Sequence, residues 1–301
     1  MLHLNLGIMV KDKLNIGIIG CFQNGKSTFI NCLLDDIVAR TGYGISTTSI
    51  NTKYIYGDVQ KVEYCSNGEI VGTSRLNEFL KMVEYPQGTD EIVITLWKPL
   101  LKNINIIDTP GFEANDEDNI MALSSLDNID IAIIVLTNKG ISIQERNIIV
   151  ELFKRRIPYF LIMNCTDSNT WNPNSKSNII KVKNLYENLK SVERLPWPID
   201  GHNIVSVNLL WFWYASEQYI NEITDERRSQ IETAIESYSD NMGEKLDREF
   251  FLNASNFLIV RNFLAAEING NISLKTLRWK IALNKNLIEW SNKLNSIVLK
   301  Y

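Results

Sequence analysis

Short, dense apolar runs alternate along the chain with stretches whose apolar residues recur every three or four positions. That alternation predicts strands and helices in turn, and hence a mainly parallel sheet covered on both faces. Leu14–Gly20 is the first run and ends in glycine. Phe29, Ile30, Leu33, Leu34 and Ile37 follow at spacings that share one helical face. Ala39–Ser49 is polar and punctuated by glycine, as a loop is. Ile50–Tyr56 and Lys61–Cys65 read as strands, and Ser66-Asn67-Gly68-Glu69 is a hairpin turn leading into Ile70-Val71, which makes the sheet mixed. Leu76–Tyr85 has helical spacing, while Glu91–Trp97, Asn103–Ile107, Ile131–Leu136, Pro158–Met163 and Asn203–Val207 are further strands. Ser142–Arg155 and Lys176–Val192 are further helices, the first opened by Ser142 as N-cap with Glu145 as its capping-box partner.

Near Tyr214 the strand signals stop. Glu217–Tyr301 reads as helices broken near Asp240–Gly243 and Asn269–Ser273. The expected division is an α/β domain over residues 1–213 and a helical region over 214–301. The cluster Trp211-Phe212-Trp213-Tyr214 is expected to start a helix that packs the C-terminal helices onto the sheet; insertion into a membrane surface is the other use of such a cluster.

Composition narrows the classes. Of 301 residues, 45% are hydrophobic and 22% charged, the proportions of an ordinary soluble protein rather than a disordered one. A net charge of −4 argues against broad capture of nucleic acid or anionic lipid, and the densest basic cluster, Lys154-Arg155-Arg156, reads as the solvated end of a helix. The acidic run Glu113–Asp118 reads as a solvated segment rather than a metal site. Cys21, Cys32, Cys65 and Cys165 are scattered without zinc or disulfide spacing, which points to a reducing compartment. His3 and His202 have no ligand or nucleophile partner by spacing. Met1–Val10 has neither a basic head nor a small-residue cleavage site, and no apolar run reaches the length of a spanning helix. A cytoplasmic protein with at most peripheral membrane contact is expected.

The chemistry starts at Gly20. Gly20-Cys21-Phe22-Gln23-Asn24-Gly25-Lys26-Ser27 matches Gly-x-x-x-x-Gly-Lys-Ser/Thr at every fixed position, between an apolar strand and an amphipathic helix. Successive N–H groups of such a loop and the following helix N-terminus form a concave site for phosphate, so Gly20, Asn24, Gly25, Lys26, Ser27 and Thr28 are expected to bind a nucleoside triphosphate. Lys26 should reach the β- and γ-phosphates, and the Ser27 hydroxyl should hold Mg²⁺. Asp108-Thr109-Pro110-Gly111 follows the strand Asn103–Ile107. There Asp108 is placed to hold Mg²⁺ through water, and the Gly111 N–H to contact a γ-phosphate. Asn164-Cys165-Thr166-Asp167 follows the strand Pro158–Met163, and Ser206-Val207-Asn208 follows the last strand.

These pieces resemble the GTPase superfamily. The resemblance implies that Asp167 reads guanine, that Asn164 braces the loop, and that Ser206 lies in the weakly specified fifth base-contacting loop. Cys165 departs from the pattern, standing where the family usually has a lysine that packs on the base. Thr41-Gly-Tyr-Gly-Ile-Ser-Thr-Thr-Ser-Ile50, Tyr56-Gly57-Asp58, the long insertion before Asp108, and Asp108-Thr109-Pro110-Gly111-Phe112 look like bacterial members of the dynamin family. That resemblance covers about residues 14–210. It implies that the first switch supplies Thr48 or Thr47 to Mg²⁺, Thr48 being preferred by its distance to Tyr56-Gly57. Phe112 occupies the position where small regulatory GTPases carry a water-orienting glutamine. The resemblance implies that Gln23, three positions before Lys26, serves instead, orienting water or a monovalent cation. The catalytic expectation is therefore Gln23, Lys26 and Thr48, with turnover raised by self-association through the nucleotide face.

The second reading is a nucleotide-dependent switch that hydrolyses little and recruits a protein partner through its C-terminal helices. A small-molecule kinase explains the phosphate loop but not Asp108–Gly111 with Asn164–Asp167. A ribosome-binding GTPase of the Era type would bring a basic RNA-binding domain, and no such domain or nucleic-acid partner is indicated.

Overall fold

The computed structural model describes residues 13–41, 50–82, 84–111, 123–166, 171–192, 204–216, 225–242 and 246–265. Nine strands form one sheet: β1 (Leu14–Ile19), β2 (Asn51–Tyr56), β3 (Lys61–Ser66), β4 (Glu69–Ser74), β5 (Glu91–Leu96), β6 (Ile104–Asp108), β7 (Ile131–Thr137), β8 (Tyr159–Asn164) and β9 (Ile204–Val207). Their order is β4-β3-β5-β2-β6-β1-β7-β8-β9. From β6 to β9 every pairing is parallel. On the other side β2 runs antiparallel to β6 and parallel to β5, and the β3–β4 hairpin closes that edge antiparallel. The expected mixed sheet with mainly parallel pairing is therefore present. Asn67 and Gly68, both at positive φ, make the tight hairpin turn.

The period of two along the strands divides the core between two faces. In β7, Ile131, Ile133 and Val135 point to one face, and Ala132, Ile134 and Leu136 to the other. Helices α3 (Ile143–Lys154) and α4 (Lys176–Val192) cover the second face with Ile148, Ile149, Leu152 and Leu189. Helices α1 (Lys26–Leu34) and α5 (Leu209–Ala215) cover the first. The short α2 (Leu76–Lys81) lies over the hairpin side. It stops earlier than the spacing predicts: Met82 is extended, and Tyr85 turns back to stack on Phe79 with ring centroids 6.2 Å apart. Helix α1 also ends before Ile37, because Asp35 adopts a left-handed C-cap.

Helices α6 (Asp225–Met242), α7 (Arg248–Ala254) and α8 (Phe257–Ala265) join the first face. Ile231, Ile235, Phe251, Phe257, Val260 and Leu264 share one cluster with Phe29, Trp211 and the strands. The expected boundary between residues 213 and 214 falls inside α5, and the core runs across it. Trp211, Phe212 and Trp213 are all buried, which removes them from any membrane-inserting role. The basic cluster is a charge-paired helix end: Arg155 meets Glu151 and Asp127, and Lys154 meets Glu151.

Candidate functional site

The loop between β1 and α1 cannot be built from ordinary backbone. Gln23 and Gly25 are at φ 61° and 96°, in the left-handed region on either side of Asn24. A Cβ on Gly25 would lie 2.8 Å from Asn164 Nδ2, and one on Gly20 would lie 2.5 Å from the Val135 carbonyl oxygen. Glycine is required at both by space, and at Gly25 by conformation as well.

Side chains from three directions hold this loop. Asn24 turns into the body, donating to the Val135 carbonyl of β7 at 2.9 Å and to Glu145 Oε1 of α3 at 2.6 Å. Asn164, at the end of β8, donates to the Asn24 carbonyl at 3.2 Å and accepts from the Leu209 N–H at 3.3 Å. Glu145 is buried as the third residue of the Ser142 capping box, both halves of which form as the spacing predicts. Its Oε2 accepts from the Ser142 N–H and hydroxyl at 2.7 and 2.8 Å. Asn24 therefore offers the concavity its backbone and not its amide. Gln23, by contrast, is exposed.

Lys26 folds over the loop, donating to the carbonyls of Gly20 and Cys21 at 2.9 and 3.2 Å. Gly111 approaches the same point: a Cβ there would lie 3.3 Å from Lys26 Nζ and 3.4 Å from the Phe22 nitrogen. The strand end carrying Asp108 thus meets the phosphate loop. Asp108 is buried at the end of β6, and its Oδ1 has no hydrogen-bond partner. Burial pushes its carboxyl up to about 7, with the Lys26 ammonium pulling it back down. A buried carboxylate oxygen left without a donor fits a cation with its water shell. Neighbouring Thr109 is fixed by its hydroxyl on the Ile18 carbonyl at 3.0 Å. Ser27 and Thr28 follow in the first turn of α1, where its N–H groups face the loop.

Toward the end of the sheet, the Cys165 thiol is buried against the Ser206 hydroxyl at 3.2 Å, and Asn178 donates to it at 3.3 Å. Ser206 thus spends its side chain on Cys165. Burial pushes the Cys165 thiol up from its ordinary range. Thr47, Thr48, Phe112, Asp167, His3 and His202 lie outside the described residues. Of the expected residues, Gly20, Asn24, Gly25, Lys26, Asp108, Gly111 and Asn164 converge at one rim of the sheet. Sequence reasoning missed the part that Glu145 plays in the loop. Its spacing to Ser142 marks a helix cap, and no local pattern links it to Asn24.

A strand-to-helix phosphate loop beside an aspartate-bearing strand end, on a mainly parallel sheet in which β2 runs antiparallel to that strand, is the fold of a P-loop domain of the GTPase kind. Residues 16–164 match the model of the dynamin family. Over that segment, 149 of its 301 residues, the chain is similar to the dynamin family. Dynamin-like protein 2 of Campylobacter jejuni is 30% identical over 121 residues, which are 40% of this chain and 20% of that protein. Two solved structures of an oligomerised bacterial dynamin pair, described as sensing and tethering membranes over long range, have the same fold. They superpose with TM-scores of 0.59 and 0.57 at 19% and 18% identity, over 97% and 96% of this chain and 40% and 39% of theirs. The chain thus spans well under half the length of these relatives. Among the described residues no helix is long and apolar enough to cross a membrane.

Proposed function

We propose that this chain binds GTP with Mg²⁺ at the phosphate loop and hydrolyses it to GDP and phosphate, faster when two copies meet through the nucleotide face. The observation that carries the reading is Asp108, a buried carboxylate with an unpartnered oxygen beside the loop that Lys26 crosses. Ser27, Asp108 through water, and Thr48 or Thr47 are the residues that would hold Mg²⁺. The ion would supply neutralising charge to the β- and γ-phosphate oxygens. Lys26 leaves the Gly20 and Cys21 carbonyls for the phosphates and stabilises the charge that builds on them. The N–H groups of the loop and of Gly111 position the γ-phosphoryl group for attack by water. The bond from phosphorus to the β–γ bridging oxygen breaks, and GDP leaves.

Gln23 is assigned the water or a monovalent cation, a role that its exposed position at the loop crest supports. Its left-handed backbone is a strain of the kind that gathers at functional loops. Asn164 and Asp167 are assigned guanine recognition. Asn164 braces the loop from below, and Cys165 lies too deep to pack on the base as a lysine stem would.

The test is phosphate release from GTP and from ATP over a wide range of protein concentration, with Lys26→Ala and Gln23→Ala in parallel. GTP should be preferred, turnover per molecule should rise with concentration, and Lys26→Ala should abolish it. Equal turnover of ATP would overturn the guanine assignment. A constant specific rate would favour the switch that recruits a partner through the C-terminal helices.

A further inference from the structure

β9 is the outer strand of the parallel half of the sheet and carries Ser206, yet two outward-facing backbone groups at its C-terminal end are not left to solvent. Val207 turns its carbonyl inward to the Cys165 N–H at 2.8 Å. Ser206 and Asn208 on either side of it face outward, and the turn between α7 and α8 takes one backbone group of each. The Ser206 carbonyl accepts from Asn256 Nδ2 at 3.1 Å, and the Asn208 N–H donates to the Ser255 carbonyl at 3.0 Å. Two residues of the C-terminal region thus act as a short extra rung on the edge of the strand. Asn256 holds a left-handed conformation at φ 59° to do so.

The same turn reaches the segment that leads from β8 to α4. Asn256 and Asn174 exchange side-chain hydrogen bonds at 2.8 and 3.3 Å, and Asn172 donates to the Tyr238 hydroxyl of α6 at 3.2 Å. That segment is bonded in turn to the nucleotide rim. Trp171 Nε1 donates to the Thr166 carbonyl at 3.0 Å, Asn208 donates to the Trp171 carbonyl at 3.0 Å, and Asn178 bridges the Asn172 carbonyl at 2.8 Å to the Cys165 thiol. Each of these amides is held by specific donors and acceptors at fixed geometry, so moving one end displaces the next.

We propose that the C-terminal helices belong to the base-recognition apparatus, with Asn256 as the positioning residue that fixes the ends of β8 and β9 through Asn174 and Ser206. Guanine selectivity then depends on a residue 82 positions along the chain from Asn174 and 50 from Ser206, while phosphate binding does not. This rests on the guanine reading of Asn164–Asp167.

The test uses the full chain and compares Asn256→Gly with the parent. Glycine tolerates the left-handed backbone, so the substitution removes the amide without adding strain. Dissociation constants for GTP and ATP are measured with Mg²⁺, alongside the melting temperature. Asn256→Gly should lower the GTP-to-ATP affinity ratio about tenfold, leaving ATP binding within about twofold, since the net loss of one intramolecular hydrogen bond changes an equilibrium constant on that order. Adding Asn174→Ala to it should lower the ratio little further, because the two side chains act through one contact. Asn174→Ala alone, at an exposed position, gives the same reading if Asn256→Gly fails to fold. An unchanged ratio with a lowered melting temperature would show that the turn only packs the helices, and overturns the proposal. A parent chain that binds GTP and ATP alike fails the guanine reading itself, and this inference with it.

Discussion

Asn24 and Glu145 meet at 2.6 Å, amide to carboxylate, across 121 positions of chain. One end of that bond is a phosphate-loop residue whose neighbours on both sides are left-handed, and the other caps helix α3. Glu145→Ala therefore removes half a capping box and strips a buried amide of one partner. The expected loss is about 2–3 kcal/mol, about 1 from the cap and 1–2 from the unsatisfied amide. Urea unfolding measures it. Asn24→Ala should cost a similar amount, and the double variant clearly less than the sum. Full additivity would mean that the two side chains do not act together. Nucleotide affinity should fall in both variants, because the loop is released from below.

Gly20 and Gly25 should not tolerate alanine, but for different reasons. At Gly20 the added methyl meets the Val135 carbonyl oxygen, which belongs to a central strand that cannot retreat. At Gly25 it meets the Asn164 amide while the backbone stands at φ 96°. Gly20→Ala should therefore destabilise the fold by about 2–4 kcal/mol, the scale of overpacking at a rigid site. Gly25→Ala should act mainly on nucleotide binding, by pushing Asn164 off the Asn24 carbonyl. Calorimetry without ligand, set beside GTP titrations, separates the two.

Asp108 predicts a pH dependence of known sign. Its carboxyl stands at about 7 in the folded chain against an ordinary 3.8, mainly through burial. Below that ordinary value it is protonated in both states and costs nothing. As pH rises toward 7 the unfolded chain ionises freely and the folded one resists, so stability from this group falls across that window. The nucleotide-free protein should lose stability between about pH 4 and 7 through this residue. Asp108→Asn should flatten that part of the curve and be the more stable variant at pH 8. Denaturant midpoints at several pH values check both points; a parallel pair of curves would sink the idea. Mg²⁺-dependent GTP binding should move the other way in the parent and strengthen toward pH 8, since a cation favours the ionised carboxylate.

Local chemistry explains what is legible in the sequence. Gly20, Gly25, Lys26 and Ser27 are fixed by spacing because a phosphate cradle needs its N–H groups in one order, and Ser142 finds Glu145 three residues on. The central strands are legible for the same reason, being dense runs such as Ile131–Leu136 bounded by polar residues. Contacts between distant segments are a different matter. The second bond of Glu145, and the closing of β9 by Ser255 and Asn256, pair residues that share no spacing rule. The break between α7 and α8 is not marked in the sequence, because asparagine, unlike glycine, gives only a weak signal for a left-handed turn. The shortening of α2 is set by Tyr85 stacking on Phe79, which propensity along the helix does not contain.

Phe257 tests whether the C-terminal helices stand apart from the nucleotide domain. Its buried ring meets Phe29 of α1 edge-on at 5.4 Å and Phe212 of α5 at 4.6 Å. Phe29 lies three residues beyond Lys26, on the helix that begins at the phosphate loop. The division into residues 1–213 and 214–301 predicts two unfolding transitions, the upper one untouched by changes in the C-terminal part. The shared core predicts one transition, lowered as a whole by Phe257→Ala at a cost of about 3–5 kcal/mol. Calorimetry of the parent and the variant decides between these, and GTP adds a second reading. Because a ligand that binds only the folded state raises the whole transition, saturating GTP should lift a single peak in both proteins. A peak that GTP leaves in place while another rises would show that the helices unfold on their own.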